Sequence, residues 1–347
     1  MARVAVVLFN LGGPDGPAAV RPFLVNLFDD PAIVRVPAPL RWILARVIAR
    51  RRAPIATANY ARIGGGSPLL ANTRAQAEAL DAALADAGTV RSFVAMRYWH
   101  PRADETAREV AAYAPDRIVL LPLYPQFSTT TTASSLADWA RAARRAGLRA
   151  PTTSVCCYPL EEGLLAAEAA LVRQGVAEVE AAGPVRVLFS AHGLPEKIVA
   201  SGDPYQWQVE QTAAAVADRA GLSVGQSVVC YQSRVGPLAW IGPSTEDEIA
   251  RAGRDKVAIV VVPIAFVSEH SETLVELDIE YRELAAEAGV PHYIRVPTVG
   301  VRAEFIGGLA GLVREALARP AGWLPPGDRR LCPQRHSGCP IAAEVVP

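Results

Sequence analysis

The sequence predicts two doubly wound α/β domains of similar build, and three observations point there. Short β-branched, apolar runs recur at residues 4–9, 93–98, 117–123, 153–157, 185–190, 227–231, 257–266 and 292–296. Between them lie Ala/Leu/Glu/Arg stretches with helical spacing, as at 73–87 and 271–287. Strands that are apolar throughout, separated by helices, belong to parallel sheets covered on both faces. The chain has 347 residues, which at roughly 150 residues per domain gives two domains. Four of the runs fall before about residue 158 and four after it.

Taken in order, residues 4–9 form a first buried strand. The run is short, lacks a small-residue cleavage site and ends in Asn10-Leu11-Gly12-Gly13-Pro14, so it does not read as a signal peptide. Residues 35–52 are apolar and basic, with Trp42 and the run Arg50-Arg51-Arg52. Such a stretch either lies on an anionic membrane surface or packs on the sheet with its arginines snorkelling outward. Tyr60-Ala61-Arg62-Ile63-Gly64-Gly65-Gly66-Ser67-Pro68 has neither the P-loop spacing nor G-x-G-x-x-G. Its glycines fit a loop passing close to something flat or bulky. Residues 118–124 (IVLLPLY) and 259–266 (IVVVPIAF) echo each other as apolar strands broken by proline. The tail after Pro320 holds Pro325, Pro326, Pro333, Pro340 and two cysteines. No regular element is expected there, and an extension of this kind frays unless it is anchored. The expected division is an N-terminal domain 1–158, a C-terminal domain 159–320 and an extension 321–347.

Composition removes several functions. Lys+Arg 35 balances Asp+Glu 35, hydrophobic residues make up 51% and charged residues 20%. A chain this apolar and neutral is not disordered. It also lacks the positive field of a nucleic-acid binder. Lys197 and Lys256 are the only lysines, so the arginine excess reads as codon bias. Five cysteines in this length do not make a secreted disulfide framework. No apolar run approaches the ~18 residues of a membrane span. The expected compartment is the cytoplasm.

In open α/β sheets, ligands bind beyond the carboxyl ends of the strands. Two loops there carry unusual polar groups. Ser190-Ala191-His192-Gly193-Leu194-Pro195 follows the run 185–190, and His192 is either a ligand-facing base or a structural histidine bonded to a carbonyl. Ser268-Glu269-His270-Ser271-Glu272 leads into a helix that carries Glu276 and Glu280. Spacings of i, i+4 and i+8 stack the three carboxylates on one face, where like charges repel. That face is either solvated or conducts protons or hydrated cations.

Together these segments closely resemble ferrochelatase, the family that inserts Fe²⁺ into a porphyrin. Further matching segments are Met96-Arg97-Tyr98-Trp99-His100-Pro101, Tyr124-Pro125-Gln126-Phe127-Ser128 and Gly202-Asp203-Pro204-Tyr205. Downstream come Tyr231-Gln232-Ser233-Arg234-Val235-Gly236-Pro237, Trp240-Ile241-Gly242-Pro243 and the stretch from Pro263 to Tyr281. They occur in family order over about residues 3 to 318. The resemblance implies two Rossmann-like domains enclosing a porphyrin cleft, with porphyrin and ferrous iron as substrates and haem as product. It implies that His192 and Glu272 are the catalytic and iron-binding pair. His270, Glu276 and Glu280 then form an acidic path. Leu11, Arg62, Arg97, Tyr98, Tyr124, Ser128 and Trp240 line the porphyrin site. The region 35–52 becomes a lip that meets the membrane peripherally, and the preceding porphyrinogen oxidase becomes a candidate partner. Relatives with other chemistry stay open: a coproporphyrin ferrochelatase, another tetrapyrrole chelatase, or a non-catalytic metal- or tetrapyrrole-binding protein.

Some ferrochelatases hold a [2Fe–2S] cluster with one internal cysteine and three in a C-terminal extension. This extension has two, Cys332 and Cys339. Adjacent Cys156 and Cys157 complete a candidate set of four, with His336 as a substitute ligand. The alternative is buried free thiols and a loose tail.

Overall fold

The computed structural model describes residues 2–234, 238–327 and 329–341. Val235, Gly236 and Pro237 of the family-like motif, and residues 342–347 of the extension, lie outside the described residues. In chain order the elements are β1 (Arg3–Asn10), α1 (Pro17–Phe28), α2 (Ala38–Ala61), α3 (Leu69–Ala83), β2 (Thr89–Met96), α4 (Ala103–Tyr113) and β3 (Arg117–Pro122). Then come α5 (Thr132–Arg145), β4 (Thr152–Val155), α6 (Glu162–Val179), β5 (Val185–His192), α7 (Glu196–Ala200), α8 (Tyr205–Ala220), β6 (Ser227–Gln232), α9 (Thr245–Asp255) and β7 (Ala258–Val262). A π-helix (Glu272–Glu280) runs into α10 (Tyr281–Glu287), followed by β8 (Tyr293–Arg295), α11 (Ala303–Ala318) and β9 (Gly322–Leu324).

The strands form two wholly parallel sheets, ordered β2-β1-β3-β4-β9 and β6-β5-β7-β8. The first four strands of the chain and the next four are therefore laid out in the same order. The two proline-broken runs, β3 and β7, occupy the same place in their sheets. Their sequence echo is thus a topological one.

The chain divides into two compact units. The first comprises Met1–Tyr124, Ser128–Cys156 and Ala310–Leu324, and the second Pro125–Phe127, Cys157–Leu309 and Pro325–Pro347. In the first unit, Val7, Phe9, Phe93, Leu120 and Trp139 build one core and Val20, Phe23, Tyr60 and Tyr98 another. In the second, Leu188, Ile249, Val261, Leu277 and Tyr281 pack together. All five residues of β7 are buried, as a strand covered on both faces must be. It is shorter than the run 257–266 because Pro263 offers no N–H to a ladder.

Local chemistry sets several boundaries. Glu161 caps α6 by accepting from Gly163 N (3.0 Å) and Leu164 N (2.8 Å). Ser244 caps α9 through Asp247 N (3.0 Å), and Glu246, Asp247 and Glu248 complement the dipole of its first turn.

Two expectations need correction. The tail after Pro320 does hold a regular element, because β9 pairs with β4 through Thr153↔Gly322 to Val155↔Leu324. The helix expected at 271–287 is π-helical over its first nine residues and α-helical only afterwards.

Candidate active site

The second unit carries the group of residues singled out for chemistry. β5 delivers His192 at its carboxyl end, in register with Gln232 of β6. The His192 ring is fixed by Nδ1, 2.6 Å from the Gly193 carbonyl oxygen. A carbonyl only accepts, so Nδ1 carries the proton and Nε2 is left with a lone pair in the neutral ring. Nε2 lies 3.9 Å from Glu272 Oε1, and the imidazole is 40% exposed. Gly193 lets β5 and the Trp240 ring come close here. A Cβ on it would stand 3.0 Å from the Gln232 carbonyl oxygen and 3.3 Å from the Trp240 ring.

Glu272 lies between two imidazoles. Its other oxygen, Oε2, is 3.6 Å from His270 Nε2. The buried His270 ring is held by Nδ1 donating to the Ser268 carbonyl at 3.1 Å. Glu272 Oε2 is itself buried. Burial pushes the Glu272 carboxyl up, but the charge of His192 and the bond and charge of His270 outweigh it and bring it to about 2.

Glu276 has the opposite environment. It accepts from Ser233 N (2.7 Å), Ser233 Oγ (2.5 Å), Tyr281 OH (3.0 Å) and Gln232 Nε2 (3.4 Å). Burial, reinforced by the nearby Glu272 charge, nevertheless raises it above the usual carboxylate range. Two neighbouring carboxylates are thereby pushed apart in acidity, the pattern that separates a fixed anion from a proton acceptor. Ser233 holds its grip with φ at +60, a conformation uncommon outside glycine and typical of functional sites. A turn with i→i+5 bonding still leaves Glu272 and Glu276 as neighbours. Glu280 closes the π-helix and is half-buried.

Three contributors were not singled out from sequence. Gln232 and Ser233 hold Glu276, and Tyr205, 8% exposed, has its hydroxyl bonded to the His192 backbone. Each falls within a quoted segment, but nothing in its residue type announced the role. Trp240, also in the second unit, forms a bridge with Pro195, and its buried Nε1 has no partner.

Leu11, Arg62, Arg97, Tyr98, Tyr124 and Ser128 all lie in the first unit. Leu11 is half-buried among Val20, Phe23 and Tyr98. Arg62 is exposed at the end of α2. The Gly64-Gly65-Gly66 loop beside it turns back so that Ser67 N donates to the Pro14 carbonyl at 2.7 Å. What it passes close to is thus the Gly13-Pro14 turn. Arg97 donates to Asp30 Oδ2 (2.7 Å) and Ser134 Oγ (2.8 Å), and Tyr98, 1% exposed, donates to the same Asp30 oxygen (2.7 Å). Burial pushes Asp30 up, but Ser134, Arg97, the Ala32 N–H and Tyr98 together hold it below its ordinary value. The polar ends of Arg97 and Tyr98 therefore fasten the segment after α1. Tyr124 is half-buried, and Ser128 is buried with its hydroxyl 2.9 Å from that of Thr130.

The stretch 35–52 falls mostly on α2, whose exposed side includes Leu40, Trp42 (52%), Ile43 and Val47. Arg46 stacks over the Trp42 ring at 3.7 Å. Among the described residues no helix is long and apolar enough to cross a membrane.

The tail is anchored. Arg330 donates to the carbonyls of Cys332 (3.0 Å), Pro333 (3.2 Å) and His336 (2.7 Å). Gly338 N donates to the Gly202 carbonyl at 3.0 Å. All five cysteines are buried and none forms a disulfide. Gln208 Nε2 reaches both Cys332 Sγ (3.0 Å) and Cys157 Sγ (3.4 Å). The bond to Cys339, then burial, drives the Cys332 thiol far up. His336 stacks on Trp207, and its buried Nε2 has no partner. Three thiols and one imidazole thus share this part of the second unit, while Cys156 belongs to the first. Among the described residues no three His, Cys, Asp or Glu side chains are arranged to hold a metal ion. The set of four cysteines is therefore gathered in part and not preassembled.

A family model described as Ferrochelatase matches residues 3–317. A ferrochelatase of Caulobacter vibrioides (strain NA1000 / CB15N) is 56% identical, over 97% of this chain and 97% of its own length. One from Phenylobacterium zucineum is 56% identical with the same coverage, and one from Hyphomonas neptunium is 51% identical over 98% of this chain and 95% of its own. Among solved structures, SirB from Bacillus subtilis with Fe3+ superposes with a TM-score of 0.50 at 12% identity, covering 92% of this chain and 96% of that one. The multi-domain protein DR2241 from Deinococcus radiodurans gives 0.51 at 16% identity, covering 91% of this chain and 56% of that one. At such identities the two structures show the fold alone. The family match spans nearly the whole chain and the curated relatives agree end to end: the chain belongs to the ferrochelatase family.

Proposed function

We propose that this chain inserts Fe²⁺ into protoporphyrin IX, releasing the two pyrrole protons and forming protohaem, the last step of haem synthesis. The observation that carries the reading is the His192–Glu272 pair at the end of β5, with Glu276 behind it. Metal insertion needs the inner N–H groups deprotonated and their lone pairs turned toward the ion. His192 presents an Nε2 lone pair from a tethered ring, which suits a base facing pyrrole nitrogen. Imidazole and carboxylate both suit Fe²⁺ as donors. Glu272 stays anionic, so it stabilises the imidazolium that forms and attracts the incoming cation. Glu276 holds a proton more readily, so it receives the protons that leave His192 past the fixed Glu272 anion, with Glu280 and His270 at the two ends of the path. Leu11, Arg62, Tyr124, Ser128 and Trp240 contact the ring or its substituents in this reading, and Arg97 and Tyr98 brace the wall through Asp30.

The test is anaerobic mixing of protein, Fe²⁺ and protoporphyrin IX, followed by haem absorbance, with coproporphyrin III in parallel. Haem formation well above the uncatalysed rate, with protoporphyrin preferred, supports the reading. Turnover of coproporphyrin alone moves the assignment to that substrate. Inertness toward both overturns the enzyme and leaves a binding protein.

The exposed apolar and basic side of α2 supports a cytoplasmic protein that touches the membrane peripherally, where an apolar porphyrin resides. Cosedimentation with vesicles containing anionic phospholipid tests this contact. Cys157, Cys332 and Cys339, with Cys156 or His336 as the fourth ligand, are the residues for a [2Fe–2S] cluster, which would cross-link the tail to the segment between β4 and α6. Visible absorbance, iron and acid-labile sulfide in anaerobically purified protein check it, and their joint absence removes it.

A further inference from the structure

The nine π-helical residues that carry Glu272 and Glu276 pose a physical problem. Helices with i→i+5 bonding are rare and usually limited to single turns. The alternative α winding is always available to the same residues, so contacts from outside must hold the wide turn. β8 supplies them. Tyr293 and Arg295 are two residues apart on this strand, so both side chains leave the same face.

Arg295 is 8% exposed and its guanidinium forks between two carboxylates. Nη1 lies 2.6 Å from Glu269 Oε1 and Nη2 lies 2.6 Å from Asp278 Oδ2. Glu269 precedes His270, and Asp278 follows Glu276 by two residues, so the two anchors bracket His270, Glu272 and Glu276. Each anchor is held again. Glu269 accepts from Thr298 N (2.9 Å) and Thr273 Oγ1 (2.5 Å). Asp278 accepts from Arg282 (2.9 Å), which also donates to the Tyr293 carbonyl (3.0 Å). The Tyr293 hydroxyl donates to the Leu277 carbonyl inside the π-helix. A planar guanidinium fixes the distance and angle between two carboxylates in a way that an ammonium does not.

We propose that Arg295, assisted by Tyr293, is a positioning residue that holds the segment in its wide turn, so that Glu272 faces His192 while Glu276 stays in the grip of Ser233. Without the fork the segment rewinds toward α geometry, about 100° per residue against roughly 80° in the wider turn, so that Glu276 rotates relative to Glu272 by roughly 70–80° over the four residues between them. The inference rests on the reading that Glu272 and Glu276 handle iron and protons.

The experiment compares Arg295→Met, Arg295→Lys and Tyr293→Phe with the wild type, measuring KM for Fe²⁺ and for Zn²⁺, kcat, and porphyrin affinity by fluorescence quenching. Arg295→Met is expected to raise the metal KM or lower kcat by about 10–100-fold, as for other residues that orient a metal-handling group, with porphyrin affinity unchanged. Arg295→Lys recovers part of the loss, and Tyr293→Phe gives a smaller change of the same kind. A folded Arg295→Met protein with wild-type metal KM and kcat overturns the clamp. Should that variant not fold, wild-type metal kinetics in both Arg295→Lys and Tyr293→Phe overturn it equally. Failure of the underlying reading looks different: full turnover in His192→Ala and Glu272→Gln would remove the catalytic assignment itself.

Discussion

Replacing Ser233 by alanine tests how the site separates the acidities of its two carboxylates. The Ser233 hydroxyl donates to Glu276 at 2.5 Å, while the Ser233 N–H donates to the other oxygen at 2.7 Å and survives the substitution. A hydrogen bond to a charged group is worth about 1.5–3 kcal/mol. At 1.36 kcal/mol per unit, its loss raises Glu276 by about one to two pKa units. Burial and the Glu272 charge already hold Glu276 above its ordinary value, and the Ser233 bonds pull against them, so the shift adds to an existing trend. Catalysis on the acid side requires Glu276 to be free to accept. The acid limb of the kcat–pH profile should therefore move to higher pH by one to two units, with porphyrin KM unchanged. The assay is initial-rate haem or zinc-porphyrin formation between pH 5 and 9. An acid limb that stays in place in folded Ser233→Ala protein would refute the role of Glu276 as the proton acceptor.

Three further outcomes follow from the same structure. Glu168 on α6 is 1% exposed with an unpartnered Oε2, and burial lifts its carboxyl to about 8. A raised folded-state value means that stability is fully present below about 4.5 and is lost as pH rises toward about 8. Glu168→Gln should therefore gain on the wild type by about 1.4 kcal/mol per pH unit across that window, about 3 kcal/mol by pH 7, in urea titrations; a gain independent of pH would contradict this. Asp30→Asn removes the nearer of two carboxylates beside the buried Arg97, leaving Asp138 at 3.7 Å, and should destabilise by about 3 kcal/mol, the low end for breaking a buried pair, seen as a lower Tm; a neutral change would show that the network is not structural. Trp42→Glu with Ile43→Glu should abolish cosedimentation with anionic vesicles while preserving turnover of detergent-dispersed porphyrin; unaltered cosedimentation would remove α2 as the contact.

Much of the scaffold is legible because parallel strands buried on both faces leave unbroken apolar runs, as in β1, β3 and β7. β9 escapes such reading. Gly322-Trp323-Leu324 is three residues long in a Pro/Gly-rich tail, and it is a strand only because β4 offers a free edge. His192 is visible because it stands at the carboxyl end of a strand, where ligands bind, and Glu272 and Glu276 because an unrelieved carboxylate row is locally unfavourable. Ser233, Gln232 and Tyr205 were not, since their parts depend on which backbone the fold brings alongside. The π-helix was hidden for a related reason: its winding is held by Tyr293 and Arg295, more than twelve residues downstream of its start, and no local periodicity encodes that. Arg97 and Tyr98 stood out as residues of the site, yet their partner Asp30 lies 67 and 68 residues away.

If His192 takes a pyrrole proton, its removal must show in single-turnover haem formation by His192→Ala under anaerobic conditions. The variant is expected to bind protoporphyrin with wild-type affinity and to fold normally, but to form haem no faster than free solution. Haem formation at the wild-type rate by His192→Ala would contradict that role.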